Sequence, residues 1–257
     1  MPKCEIRIWA RRLEVLGSPE IAEADIFADT DIEAVVAPAE LIVLAMPIHY
    51  MAGLVKQFPA LSKGTVVTDV GSTKATVVEE LSPLIEELGG VFIGSHPMAG
   101  SEKVGIEHSR EDLFEGAAVV LTPVGESRDK RVEGLQKFWE CLGGRVFFAS
   151  PDRHDEVVAS ISHLPHLLSA ALVRSSLQDR AGLFADLVGG GFRDTTRIAA
   201  GAPEMWAEIM VANQESLLKE LDGLISELGD WKEALANLDK ENLLRFLSEA
   251  KECREQV

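Results

Sequence analysis

Leu41-Ile42-Val43-Leu44-Ala45 and, a helix-length later, Thr65-Val66-Val67-Thr68-Asp69 are short aliphatic runs with almost no polar alternation. That is the pattern of strands buried on both faces, as in a parallel sheet. Working outward, similar runs stand at Glu5 to Trp9, Val91 to Gly94, Ala117 to Leu121 and Arg145 to Ala149. Helical patterns lie between them. After the second quoted run, Val77, Val78, Leu81, Leu84, Ile85 and Leu88 recur at helical spacing and predict a helix packed on the sheet, which Pro83 is expected to bend or shorten. Strand and helix in alternation predict an α/β half, residues 1–150, built as a doubly wound parallel sheet.

From Pro151 the β-branched runs stop and helical periodicity takes over, through Val157 to Leu177, Met205 to Leu228, and the closing Trp231, Leu235, Leu238, Leu244 and Leu247. Residues 151–257 therefore read as an all-helical domain. The strong break, Gly189-Gly190-Gly191, follows no strand and reads as a helix-to-helix turn, not a phosphate loop. Helices this rich in leucine, beside a modest α/β half, are expected to pack against a second copy as a homodimer.

The balance of 25 Lys+Arg against 42 Asp+Glu leaves a net charge of −17, a far field that repels nucleic acid, anionic membrane and acidic substrates alike. An anionic substrate then needs a local cluster of cations. Cys4, Cys141 and Cys253 are too few and scattered for a disulfide framework or a thiolate metal site, which fits a reducing cytoplasm. No apolar run approaches the roughly 20 residues that span a bilayer, and no signal-peptide core follows Met1, so neither membrane nor export is expected.

No G-x-G-x-x-G turn occurs in the sequence. The opening Cys4 to Arg12 is consistent with the second strand of a dinucleotide-binding unit, in which case roughly 30 residues carrying the first strand and its phosphate turn lie upstream. It is equally consistent with the first strand of another α/β fold. In the former register Arg11 and Arg12 stand at the strand tip where an acid would accept the ribose 2′-OH of NAD and an arginine would take the 2′-phosphate of NADP. NADP is the expected preference. Two solvated arginines on a turn would leave the same trace.

Ser95-His96-Pro97-Met98-Ala99-Gly100-Ser101-Glu102-Lys103 follows a buried run, so His96 stands at a strand's carboxyl end, where open α/β sheets hold ligands. Within Ser160 to His166, His163 and His166 lie three apart in a helical stretch. A metal pair would need third and fourth ligands, and no H-E-x-x-H or similar partner supplies them, so no metal is expected.

Thr68 to Lys74, Ser95 to Lys103, Ser162 to His166 and Gly189 to Ala199 together resemble the prephenate dehydrogenase family, in its order and approximate spacing. The resemblance implies a Rossmann-like nucleotide domain followed by a helical dimerisation domain, with an active site between them acting on prephenate or arogenate. It implies that His96 is the catalytic histidine, that Ser72 helps orient the ring hydroxyl, and that His166 is a second active-site histidine. Arg197 resembles the arginine holding the side-chain carboxylate, with Ser101, Glu102 and Ser162 lining the substrate pocket. Ala45, Met46 and Pro47 after one strand, and Val70 after the next, join Arg11 and Arg12 as expected cofactor positions. Trp206 fits the family pattern, although a core role is the expectation for a tryptophan on a helical face.

Prephenate loses hydride from its hydroxyl-bearing carbon and its ring carboxylate as carbon dioxide, so a neutral imidazole at His96 suits removal of the hydroxyl proton. Arg197, Arg193 and Lys103 are candidates for the local cations. Two rivals stand beside this. A β-hydroxyacid dehydrogenase would place a catalytic lysine in the helical half, and nothing around Lys219 or Lys232 suggests one. A truncated, non-catalytic paralogue would dimerise and bind prephenate without redox turnover.

Overall fold

The computed structural model describes residues 5–18, 21, 26–100, 109–125, 129–178, 182 and 186–256. Strands β1 (Arg7–Trp9) and β2 (Phe27–Asp29) pair in parallel. Strands β3 (Leu41–Leu44), β4 (Val66–Asp69) and β5 (Val91–Phe92) form a second parallel group in that order. Strands β6 (Gly94–Pro97), β7 (Ala118–Thr122) and β8 (Arg145–Phe148) form a third. β5 and β6 are pieces of one extended segment. Its first half hydrogen-bonds to β4, Val91 N to Thr65 O and Ile93 N to Val67 O, both 2.9 Å, while its second half pairs with β7.

Each strand expected from the aliphatic runs is present, and β2 was not anticipated. The β6–β7 pair departs from the all-parallel expectation: it is antiparallel, and β7–β8 is parallel. Met98 N, just past β6, donates to Ala118 O at the start of β7 at 2.7 Å, so the chain re-enters the sheet beside the point where it left and runs back antiparallel.

Helices flank the strands: α1 (Leu13–Leu16), α2 (Ile32–Val36), α3 (Ile48–Val55), α4 (Ala75–Glu87) and α5 (Lys130–Cys141). Successive strand residues face opposite layers. Val67 and Phe92 join Met51, Leu54 and Val55 of α3 and Val77, Val78, Leu81 and Ile85 of α4. Val66, Ile93, Val119 and Leu121 join Val132, Leu135 and Trp139 of α5. This two-sided cover is the doubly wound arrangement. Pro83 does not shorten α4. Four buried aliphatic side chains at roughly 1.5–3 kcal/mol each outweigh the ~3 kcal/mol that an interior proline costs.

The helical part runs α6 (Pro151–Val158), a π turn (Ala159–His163), α7 (Leu164–Leu177), α8 (Gly190–Thr196), a 3₁₀ turn (Arg197–Ala200) and α9 (Pro203–Ala212). Gly189 is the N-cap of α8, and the two following glycines begin that helix instead of separating two helices. The compact unit containing the strands extends through Asn213, because residues of α6 bond back onto α4 and Asn213 bonds onto α6. A second unit, Gln214–Val257, is a pair of helices, α10 (Gln214–Ala236) and α11 (Lys240–Arg254), with Trp231 and Phe246 in ring contact at 5.1 Å. Ile225, Leu228, Leu235, Leu244 and Leu247 of this pair are exposed.

One expectation about hydropathy needs correcting. The continuous helical stretch Pro151–Leu177 is long and apolar enough, by length and composition, to cross a membrane. It reads as a core helix of a folded unit, since it carries five buried polar residues, His154, Asp155, His163, His166 and Ser169, of which Asp155 bonds to the α4 start and His163 to Asn213.

Candidate active site

The site starts at the carboxyl end of β4. Asp69 is fully buried there, and its carboxylate accepts from Gly71 N at 2.8 Å, from Ser95 N at 3.2 Å and from the Lys74 ammonium. The tie to Ser95 sets the position of the next residue on β6, His96. Behind His96, the Trp139 indole donates to Ser95 Oγ at 3.1 Å, and Ser95 Oγ lies 2.6 Å from Thr68 Oγ1. The strand tip is therefore locked by a buried polar network.

Lys74 precedes the first turn of α4 and has no side-chain cap of its own. The cap comes from far along the chain: Asp155 of α6 accepts from Lys74 N at 2.7 Å through Oδ1 and from Ala75 N at 2.9 Å through Oδ2. The same Oδ1 lies 2.7 Å from His154 Nδ1, and His154 Nε2 lies 2.8 Å from His96 Nδ1. Each donor follows from the one before. The Asp155 carboxylate accepts, so His154 carries its proton on Nδ1. His154 Nε2 is then a lone pair that receives the His96 Nδ1 proton, which leaves His96 Nε2 as the basic nitrogen. Burial above all, with the Lys74 ammonium adding to it, holds the His96 imidazole well below its usual value of 6.5, so it is neutral at pH 7.

His163 and His166 both turn inward from the π turn and the start of α7. The Asn213 amide fixes the first: Nδ2 donates to Asp155 O at 2.8 Å and to His163 Nδ1 at 3.1 Å. Burial lowers the His163 pKa to about 4, outweighing the opposing charge of Asp155. His166 stacks on Trp206 of α9, with ring centroids 3.6 Å apart and planes at 12°. Gly201 permits this, since a Cβ there would stand 2.5 Å from Trp206 Nε1 and 3.1 Å from His166 Cε1. Trp206 is half-buried in that stack and not part of the core, contrary to the helical-face expectation.

The fold therefore brings His96 and His166 into one neighbourhood with two histidines not singled out as site residues, His154 and His163. Ser72 is half-buried in the loop between β4 and α4, two residues before Lys74. Ser162 is half-buried on the π turn. Arg197 is exposed at the head of the 3₁₀ turn that packs on α7 and leads to Gly201. Arg193 is exposed, its Nε 3.4 Å from Val188 O. Ser101, Glu102 and Lys103 lie outside the described residues. The signal that could have found His154 and Asp155 is the Ser150-Pro151 helix start followed by a His-Asp pair on an otherwise polar turn.

The expected cofactor positions lie at strand tips. Ala45 and Pro47 are exposed and Met46 half-buried after β3, and Val70 is half-buried after the parallel β4. Arg11 and Arg12 are exposed just past β1. A carboxylate stands closer to this tip than the sequence suggested: Asp29 of β2 is in register with Trp9, and its Oδ1 accepts from Asp31 N at 2.9 Å. The residues present suit the two ends of a dinucleotide, an adenosine ribose at β1 and a ring at the β3 and β4 tips, but no glycine-rich turn among them cradles its pyrophosphate. Among the described residues, no group of three or more His, Cys, Asp or Glu side chains is placed to hold a metal ion.

Comparison with known proteins agrees with this architecture. Residues 21–148 match the family described as prephenate dehydrogenase, nucleotide-binding domain, and residues 150–249 match prephenate dehydrogenase, dimerization domain. A cyclohexadienyl dehydrogenase of Zymomonas mobilis is 33% identical over 229 residues, covering 87% of this chain and 77% of the relative. A prephenate dehydrogenase of Bacillus subtilis is 33% identical over 247 residues, 94% of this chain and 66% of the relative. The crystal structure of prephenate dehydrogenase from Aquifex aeolicus, in complex with hydroxyphenyl propionate and NAD+, superposes with a TM-score of 0.88 at 32% identity, covering 99% of this chain and 90% of that one. The chain carries both domains of one family in tandem and shares about a third of its residues with relatives across them: it belongs to the prephenate dehydrogenase family.

Proposed function

We propose that this chain oxidises prephenate or arogenate, with loss of carbon dioxide, to 4-hydroxyphenylpyruvate or tyrosine. The observation that carries the reading is the buried Asp155–His154–His96 series, whose hydrogen bonds leave Nε2 of the strand-tip imidazole unprotonated while burial keeps the ring neutral. NAD(P), when bound, supplies the hydride acceptor. His96 Nε2 takes the proton of the ring hydroxyl as its carbon becomes carbonyl-like, help typically worth about 10²- to 10⁴-fold. His154 and Asp155 position that base. Ser72 orients the hydroxyl from the β4 loop. Arg197, with a planar fork suited to a carboxylate, holds the side chain of the substrate, and the His166–Trp206 stack walls the pocket with Ser162 beside it.

The nucleotide half extends to about residue 150 and the helical half from Pro151, with the exposed leucines of α10 and α11 covered by a second copy in a homodimer. The unpaired, exposed Cys141 and Cys253 suit a reducing cytoplasm. Arg11 and Arg12 favour NADP over NAD, because a guanidinium pairs with the 2′-phosphate dianion while Asp29 has one oxygen already engaged. Titration of the purified chain with each nucleotide tests this preference. Arg11→Asp should weaken NADP binding about tenfold or more and leave NAD little changed, and equal affinities in the parent would overturn the placement of the ribose.

The reading as a whole is tested by incubating the chain with prephenate or arogenate and either nucleotide, and following reduced nicotinamide and the aromatic product. Calorimetric binding of prephenate without nucleotide reports on the substrate site separately. A chain that neither binds nor oxidises either compound is not the enzyme proposed.

A further inference from the structure

His163 sits at the end of the π turn, 1% exposed, and its tautomer is fixed by its neighbours. Asp155 O is a backbone carbonyl and only accepts, so the Asn213 atom 2.8 Å from it must be the amide nitrogen. That nitrogen directs its second hydrogen to His163 Nδ1, at 3.1 Å, which makes Nδ1 the acceptor and puts the ring proton on Nε2. His163 Nε2 is buried and has no hydrogen-bond partner among the described residues. A buried N–H left unmade costs about 1–3 kcal/mol, so a fold that spends an asparagine on aiming one has a use for it.

Its surroundings say what that use is. The ring meets Trp206 edge-on at 6.2 Å, and Trp206 stacks on His166. Charge on His163 would be felt at His96, so the two rings share one electrostatic neighbourhood. His163 is thus a neighbour both of His96 and of the Trp206–His166 stack. Lys74, the buried cation nearby, is already committed to Asp69. Resting on the function proposed above, which brings a substrate with two carboxylates into a chain of net charge −17, we propose that His163 is a substrate-binding residue whose Nε2–H donates to a carboxylate oxygen of that substrate. Being neutral, it adds a directed donor to the site without a second buried charge.

The test compares the parent with His163→Phe, which keeps a flat ring and loses the donor, and His163→Gln, whose amide nitrogen reaches a similar position. Binding of prephenate and of 3-(4-hydroxyphenyl)propionate is measured calorimetrically without nucleotide, alongside thermal unfolding. Prephenate affinity should fall about tenfold in His163→Phe and stay within about threefold in His163→Gln, while both variants unfold within a few degrees of the parent. A loss shared by both ligands assigns the side-chain carboxylate, and a loss for prephenate alone assigns the ring carboxylate. Either supports the proposal. If the parent binds prephenate and folded His163→Phe binds it equally well, the proposal is overturned. Failure of the parent to bind would instead count against the function on which it rests.

Discussion

Replacing Asp155 by asparagine exposes the logic of the site with the loss of one charge. In the parent, the carboxylate accepts from Lys74 N, Ala75 N and His154 Nδ1 at 2.7–2.9 Å. An asparagine has a single acceptor oxygen. At the Oδ1 position it still accepts from Lys74 N and His154 Nδ1 and turns its NH₂ against Ala75 N alone, whereas the reverse placement sets the NH₂ against Lys74 N and keeps one bond, so the first is favoured. The ring protons of His154 and His96 then stay where they are, and what is lost is the carboxylate charge that steadies the two imidazoles as His96 takes up a proton. A hydrogen bond to a charged group is worth about 1.5–3 kcal/mol against about 0.5–1.5 for a neutral one, so a loss of about tenfold in turnover is expected. Weakening the α4 cap should cost about 0.5–2 kcal/mol of stability, too little to unfold the domain. The assays are steady-state kinetics with prephenate, thermal unfolding, and ring ¹⁵N spectra of His96 and His154. A folded Asp155→Asn enzyme with turnover equal to that of the parent, or with the ring protons moved, would refute this account of the relay.

Other outcomes follow from the same geometry. His96→Asn should leave the Michaelis constant for prephenate within a few-fold and lower turnover by about 10² or more, and normal turnover in steady-state assays would remove His96 from its role. Arg197→Ala should raise that constant by a factor worth about 2–3 kcal/mol, and unchanged saturation curves would mean that another group holds the side chain. The histidines also set a pH dependence. Folded His163 resists protonation down to about 4, whereas the unfolded ring takes a proton near 6.5. Between these values the unfolded chain binds more protons, so stability is full above about 6.5 and falls on acidification, by up to about 3 kcal/mol from this group. Denaturant midpoints across that range check the sign, and His163→Gln should flatten the slope.

The sequence by itself determined the layers and one end of the site. Aliphatic runs such as Val66 and Val67 report two-sided burial wherever they pair, and the repeat from Val77 to Ile85 marks a helix on that sheet whatever its neighbours. His96 was legible because a strand's carboxyl end is a position along the chain. The short strand Phe27–Asp29 was not, for three residues in a polar stretch carry no period, and Pro83 breaks no helix because burial, a tertiary quantity, outweighs its local cost. The antiparallel turn of β7 also depended on where the chain returns. Above all, only the tertiary structure decided what His96 is. Its partner His154 is 58 residues away and Asp155 reaches α4 across 81, so the proton position on its ring depends on how α6 docks against the sheet. Periodicity and motif report what a residue meets within a turn or a strand, whereas a tautomer depends on atoms about 3 Å away that the fold alone assembles.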